Sequence, residues 1–121
     1  MGADRSDQDM IQKRIMEATQ KLNKMAPLVG AARQVIEFAS DMRKNCLAKE
    51  HARFIKEGES AAGAEAFARS SHVYLDEFKI IEERIADAYR VKAEWEATMA
   101  SFEAGRSLLA MTRETMKTLE G

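Results

Sequence analysis

Apolar side chains recur along the first part of the chain in alternating steps of four and three. Ile11, Ile15, Ala18, Leu22, Met25, Val29, Ala32, Ile36 and Ala39 fall in step, and Cys46 rejoins after Arg43. An α-helix gathers such positions onto one stripe, so the rhythm predicts a long helical arm over 7–57. Pro27 stands inside the stripe. Proline has no N–H to donate and its ring crowds the preceding turn, at a cost of ~3 kcal/mol in a helix interior. The phase is the same on both sides of it, which predicts a kink or a short break near 24–28 with the two pieces in line.

A second stripe is longer. Phe67, Tyr74, Ile81, Ala88, Trp95, Phe102, Leu109 and Met116 follow one another at intervals of seven. The companion positions of this heptad read Ser71, Phe78, Ile85, Lys92, Met99, Arg106 and Arg113, so the seam weakens toward the C-terminus. A single helix over 61–119 would measure ~88 Å at 1.5 Å per residue, and it needs a partner of similar length to be stable. The first arm is that partner.

Between the arms lies Gly58-Glu59-Ser60. Glycine suits the left-handed residue that ends a helix, and serine suits the N-cap of the next. A link of about three residues, 58–60, returns the chain antiparallel. The sequence therefore predicts an all-α fold: one domain, a long antiparallel, coiled-coil-like helical hairpin with 1–6 disordered at its start. A corner near residue 59 places Arg53 opposite Glu65. It also places the acidic start, Asp4, Asp7 and Asp9, beside Arg106 and Arg113. The alternative reading of GESAAG as a phosphate loop fails, because a Walker loop follows a strand and continues Gly-Lys-Ser/Thr, whereas Gly63 is followed by Ala64 and Glu65.

Composition supports helix and narrows function. The chain has one proline, and its net charge of −1 gives no overall attraction to nucleic acid or to an anionic membrane. The start, MGADRSDQDM, lacks the apolar run of a secretory signal, and no stretch approaches the ~18 apolar residues of a membrane span. The single Cys46 cannot form an internal disulfide, in keeping with a reducing compartment, so a cytoplasmic protein is expected. Its place on the apolar stripe makes it a packing thiol rather than a nucleophile.

No catalytic constellation emerges. His51 and His72 belong to neither an H-x-x-x-H nor an E-x-x-H pattern, and His72 with Asp76 one turn later reads as surface decoration. No cofactor, metal or catalytic residue is predicted, and the chain reads as a non-enzyme. Two other features bear on partners. Leu28, Val35 and Met42 on the first arm, and Ile80, Val91, Leu108 and Met111 on the second, are apolar but off the seam, which predicts a protein partner or a homodimer. Arg43, Lys44, Lys49, Arg53 and Lys56 gather near the corner. They offer a weaker, phosphate-contacting reading toward single-stranded nucleic acid, although cations also favour a helix C-terminus.

Two segments resemble a known group. RKNCLAKEHARFIKEGESAAGAEAFARSSHVY (43–74) and KAEWEATMASFEAGRSLLAMTRETM (92–116) are similar to small helical phage and prophage proteins. The shared features are the Gly58-Glu59-Ser60 corner, Trp95-Glu96, Phe102-Glu103 and Arg106-Ser107-Leu108. The resemblance implies a viral or prophage product of unknown function, of a kind often encoded near single-strand annealing recombinases and single-strand-binding proteins. It transfers no catalytic residue. It favours an adaptor accessory to DNA recombination or replication, with an inhibitor of a host defence complex as the alternative.

Overall fold

The first helix begins at Arg5 and runs without a break past the proline. The computed structural model describes residues 5–120. Its elements are α1 (Arg5–Glu37), α2 (Ala39–Lys56), α3 (Ala61–Ser70) and α4 (His72–Glu120). All are helices, so the chain is all-α, as the periodicity predicts. Arg5 and Ser6, expected to be disordered, already belong to α1, and the rest of that expectation (1–4) lies outside the described residues.

Two boundaries differ from the sequence expectation. Pro27 sits inside α1, and the first arm is interrupted at Phe38 instead. Met25 and Val29, which flank the proline, are both buried, and that packing outweighs a single lost backbone bond. At Phe38 the backbone leaves helical geometry for one residue (φ −95°, ψ 8°), with no side-chain cap. The second arm, expected as one helix over 61–119, is divided at Ser71, whose extended backbone (φ −65°, ψ 135°) separates α3 from α4.

The chain forms two units, Met1–Val29 with Val91–Gly121 and Gly30–Arg90. In the first unit Lys21 pairs with Glu94 at 3.2 Å, and the backbone of Gly105 lies against Ile15. As numbers rise along α1 they fall along α4, so these segments are antiparallel. A Cβ added at Gly105 would sit 3.0 Å from Ile15 Cγ1, so a side chain there would have to push Ile15 back by a few tenths of an ångström. Ile11, Met25 and Val29 of α1 are buried, as are Thr98 and Thr112 of α4.

This unit corrects the expected seam. Lys92, Arg106 and Arg113 are exposed, and the withdrawn companions of Trp95, Phe102 and Leu109 are Val91, Thr98, Gly105 and Thr112. Within this unit the withdrawn positions of α4 start at Val91 and follow at intervals of seven through Thr98, Gly105 and Thr112. Arg106 lies 5.8 Å over the ring of Phe102 on its own helix, and Asp7 of the acidic start shares a groove with Leu108 and Thr112 of α4.

In the second unit α2 runs antiparallel to the first turns of α4, with Arg43 opposite Glu82 and Lys49 opposite Glu77, and α3 packs against α2. Ala32, Ala39 and Cys46 keep the rhythm of the first stripe and are buried with Ala64, Ala68, Ile85 and Ala88. The corner is built as the residues suggest. Gly58 is left-handed (φ 99°), the Glu59 N–H reaches Phe54 O at 3.1 Å, and the Gly58 N–H reaches Ile55 O at 3.0 Å. This double closure ends α2. Ser60 then caps α3 by accepting the Gly63 N–H at 3.2 Å. Phe54 and Phe67 meet across the corner with ring centroids 5.6 Å apart.

Candidate functional site

Glu50 is the next step of the apolar rhythm after Cys46, and it is buried, only 5% exposed. A carboxylate there needs partners, because desolvation strongly disfavours its charge. Arg53, one turn on, supplies them from Nε (3.2 Å) and Nη2 (2.8 Å). Ser71 donates its hydroxyl to Glu50 Oε2 at 2.7 Å. The same hydroxyl accepts the Tyr74 N–H at 3.3 Å, which makes Ser71 the N-cap of α4. Donation from Arg53 and then from Ser71 lowers the Glu50 pKa below its ordinary value of 4.5, against the opposing pull of burial. The helix break and the buried acid are thus one structure.

The adjoining turns of α2 are tied to α4 by ion pairs. Arg43 binds Glu82 through both Nε and Nη2 (2.9 Å for the latter), and Lys49 binds Glu77 at 3.0 Å. The hydrogen bond holds the Arg43 pKa above and the Glu82 pKa below their usual values. Between them Cys46 Sγ lies 3.8 Å from Tyr74 O, and burial first, then the charge of Glu77, raises the thiol pKa. A thiol so placed is a poor nucleophile.

These pairs change the reading of the basic cluster. Arg43, Lys49 and Arg53 are each engaged by a carboxylate, Arg53 by Glu57 (3.1 Å) as well as Glu50. Arg53 therefore does not reach Glu65, which pairs with Arg69 at 3.1 Å. Among the described residues Lys44 and Lys56 form no ion pair. His51 points to the Ala61 carbonyl at 3.3 Å. Among the described residues no group of three His, Cys, Asp or Glu is placed to hold a metal ion, and no helix is long and apolar enough to cross a membrane.

The off-seam apolar residues are a more open set. Leu28 is 58% exposed, Ile80 64%, Leu108 46% and Met111 67%, while Val35, Met42 and Val91 are half-buried. In the first unit α1 and α4 enclose a groove of ≈ 610 Å³, with Arg14, Glu17 and Lys21 on one wall and Ala97, Ser101, Ala104 and Leu108 on the other. Sequence reasoning missed Glu50 and Ser71. The signal was present, since Glu50 continues the count of fours and threes and Ser71 stands on the facing seam. No protein-family model, curated protein or solved structure matches the chain.

Proposed function

We propose that this chain is a non-enzymatic helical adaptor that works by presenting apolar helix faces to a protein partner or to a second copy of itself. One observation carries the reading: none of the eight aromatic side chains (five Phe, two Tyr, one Trp) is buried. Tyr74, Phe78, Trp95 and Phe102 occupy inward positions yet remain half-buried, and Phe38, Phe67 and Tyr89 are exposed. Aromatic side chains are the largest apolar surfaces a small domain can withdraw from water, and leaving them half-covered favours association. Met10, Met16 and Met111, all exposed, add side chains that adapt to varied partners.

The resemblance to phage and prophage proteins supplies the setting of the proposal: a bacterial host cytoplasm and a role accessory to DNA recombination or replication. Direct binding of single-stranded nucleic acid is the weaker reading, because carboxylates already occupy Arg43, Lys49 and Arg53 and only Lys44 and Lys56 remain for phosphate. An inhibitor of a host defence complex would use the same apolar faces, and the identity of the partner separates it from a recombination adaptor.

The test is capture by the tagged chain from bacterial lysate, with and without nuclease and eluted in salt steps. The adaptor reading expects a specific protein that is retained after nuclease treatment. Capture that disappears with nuclease or with moderate salt contradicts it and supports nucleic-acid binding.

A further inference from the structure

We propose that a second copy of this chain docks on the C-terminal half of α4, antiparallel and about a two-fold axis at the level of Phe102. The inference rests on the interaction reading above and names one partner for it. Over 93–111 one face of α4 carries Ala93, Ala97, Ala100, Ala104, Leu108 and Met111, every one exposed. No charged residue interrupts this face, in a chain of which 32% is charged. A solvated helix face ordinarily carries such charges, and small residues instead let two helix backbones approach closely.

The arrangement of large and small residues selects the antiparallel register. With the axis near Phe102, Leu108 meets Ala97 of the second copy and Ala104 meets Ser101, each pair occurring twice. Large then packs against small at both ends, with small residues at the crossing. A parallel pairing would set Leu108 against Leu108 and Ala97 against Ala97, with crowding at one level and a void at the other.

The charges on α1 support the same axis independently. The groove beside this α4 face has Arg14 and Glu17 on its α1 wall. Within the unit Ile15 lies at the level of Gly105 and Lys21 at that of Glu94. That register carries the α4 axis across to a point on α1 between Arg14 and Glu17. The two-fold operation therefore brings Arg14 of each copy to Glu17 of the other. The groove wall is self-complementary about the axis that the alanine face requires.

Charge reversal tests this in sedimentation velocity on the full chain. The wild type is expected to be a dimer at micromolar concentration. Arg14→Glu and Glu17→Arg are each expected to weaken it about tenfold or more, and the double swap to restore it. In a Cys46→Ser background, Ala104→Cys is expected to give a covalent dimer with a short bis-maleimide, which reports the axis even if a charge variant folds poorly. A monomeric wild type overturns the inference, as does a dimer indifferent to these changes or one that the double swap fails to restore. The two readings fail separately. A monomer that still captures a nuclease-resistant protein ends this inference and leaves the adaptor, and a swap-restored dimer whose captures all vanish with nuclease does the reverse.

Discussion

Ser71 gives its hydroxyl proton to Glu50 at 2.7 Å while its oxygen caps the first turn of α4 through the Tyr74 N–H. One side chain thus ends the problem of a buried carboxylate and begins the longest helix. Ser71→Ala removes both bonds, and unfolding in urea is expected to show a loss of ~1–2 kcal/mol. Ser71→Asp keeps a capping oxygen but faces Glu50 with a like charge, and it is expected to cost more than alanine at neutral pH. If aspartate is as stable as serine, the hydrogen bond to Glu50 is not the important one.

Acid sensitivity should report the same cluster. The Glu50 pKa is depressed below 4.5, so its contribution to stability is complete above that value and is lost as pH falls through the lower, folded value. Glu82, depressed by Arg43, behaves the same way. Glu50→Gln is therefore expected to flatten the decline of melting temperature below about pH 4.5 without abolishing it. An unchanged slope in the Glu50→Gln variant would show that the carboxylate carries no linkage.

Cys46 is 1% exposed and its thiol pKa is raised. In the native chain an aromatic disulfide reagent at pH 8 is expected to react roughly a hundredfold more slowly than in denaturant, at a rate limited by local opening. Reaction at the denatured rate would place Cys46 at the surface.

Gly105 sets how closely α1 and α4 approach in the first unit. Gly105→Leu gains helix propensity, but it must fit four carbons where the first already sits 3.0 Å from Ile15 Cγ1. Overpacking of this kind costs ~1–3 kcal/mol, so a lowered melting temperature is expected. A stabilised Gly105→Leu chain would mean that the contact with Ile15 does not persist in solution.

Much of this was legible in the spacing of residues. The stripe from Ile11 to Cys46 is withdrawn from solvent as its rhythm requires, and Gly58 and Ser60 form the corner that their backbone preferences dictate. The failures have physical causes. Glu50 was invisible as a buried residue because charge outweighs phase in a sequence reading, and only its donors, Arg53 and Ser71, make burial tolerable. Lys92, Arg106 and Arg113 fall on the seam only if the phase set by Phe78 and Ile85 continues unchanged along α4. The buried stripe instead passes to Thr98, Gly105 and Thr112, residues too small or polar to stand out as core. Ser71 as a helix boundary was hidden by the unbroken interval of seven from Phe67 to Tyr74. The exposed apolar positions Leu28, Ile80, Leu108 and Met111 were visible from their places off the seam.

Apolar faces that meet another protein are the centre of the proposed function. Its most direct test compares capture from nuclease-treated bacterial lysate by the wild type and by a variant carrying Leu28→Asp, Ile80→Asp and Met111→Asp. All three residues are exposed, so the variant is expected to keep its helical circular dichroism. The wild type is expected to retain a specific protein at near-stoichiometric amounts, and the variant to lose most of it. Equal capture by a folded variant, or no nuclease-resistant protein with the wild type, would contradict the proposed function.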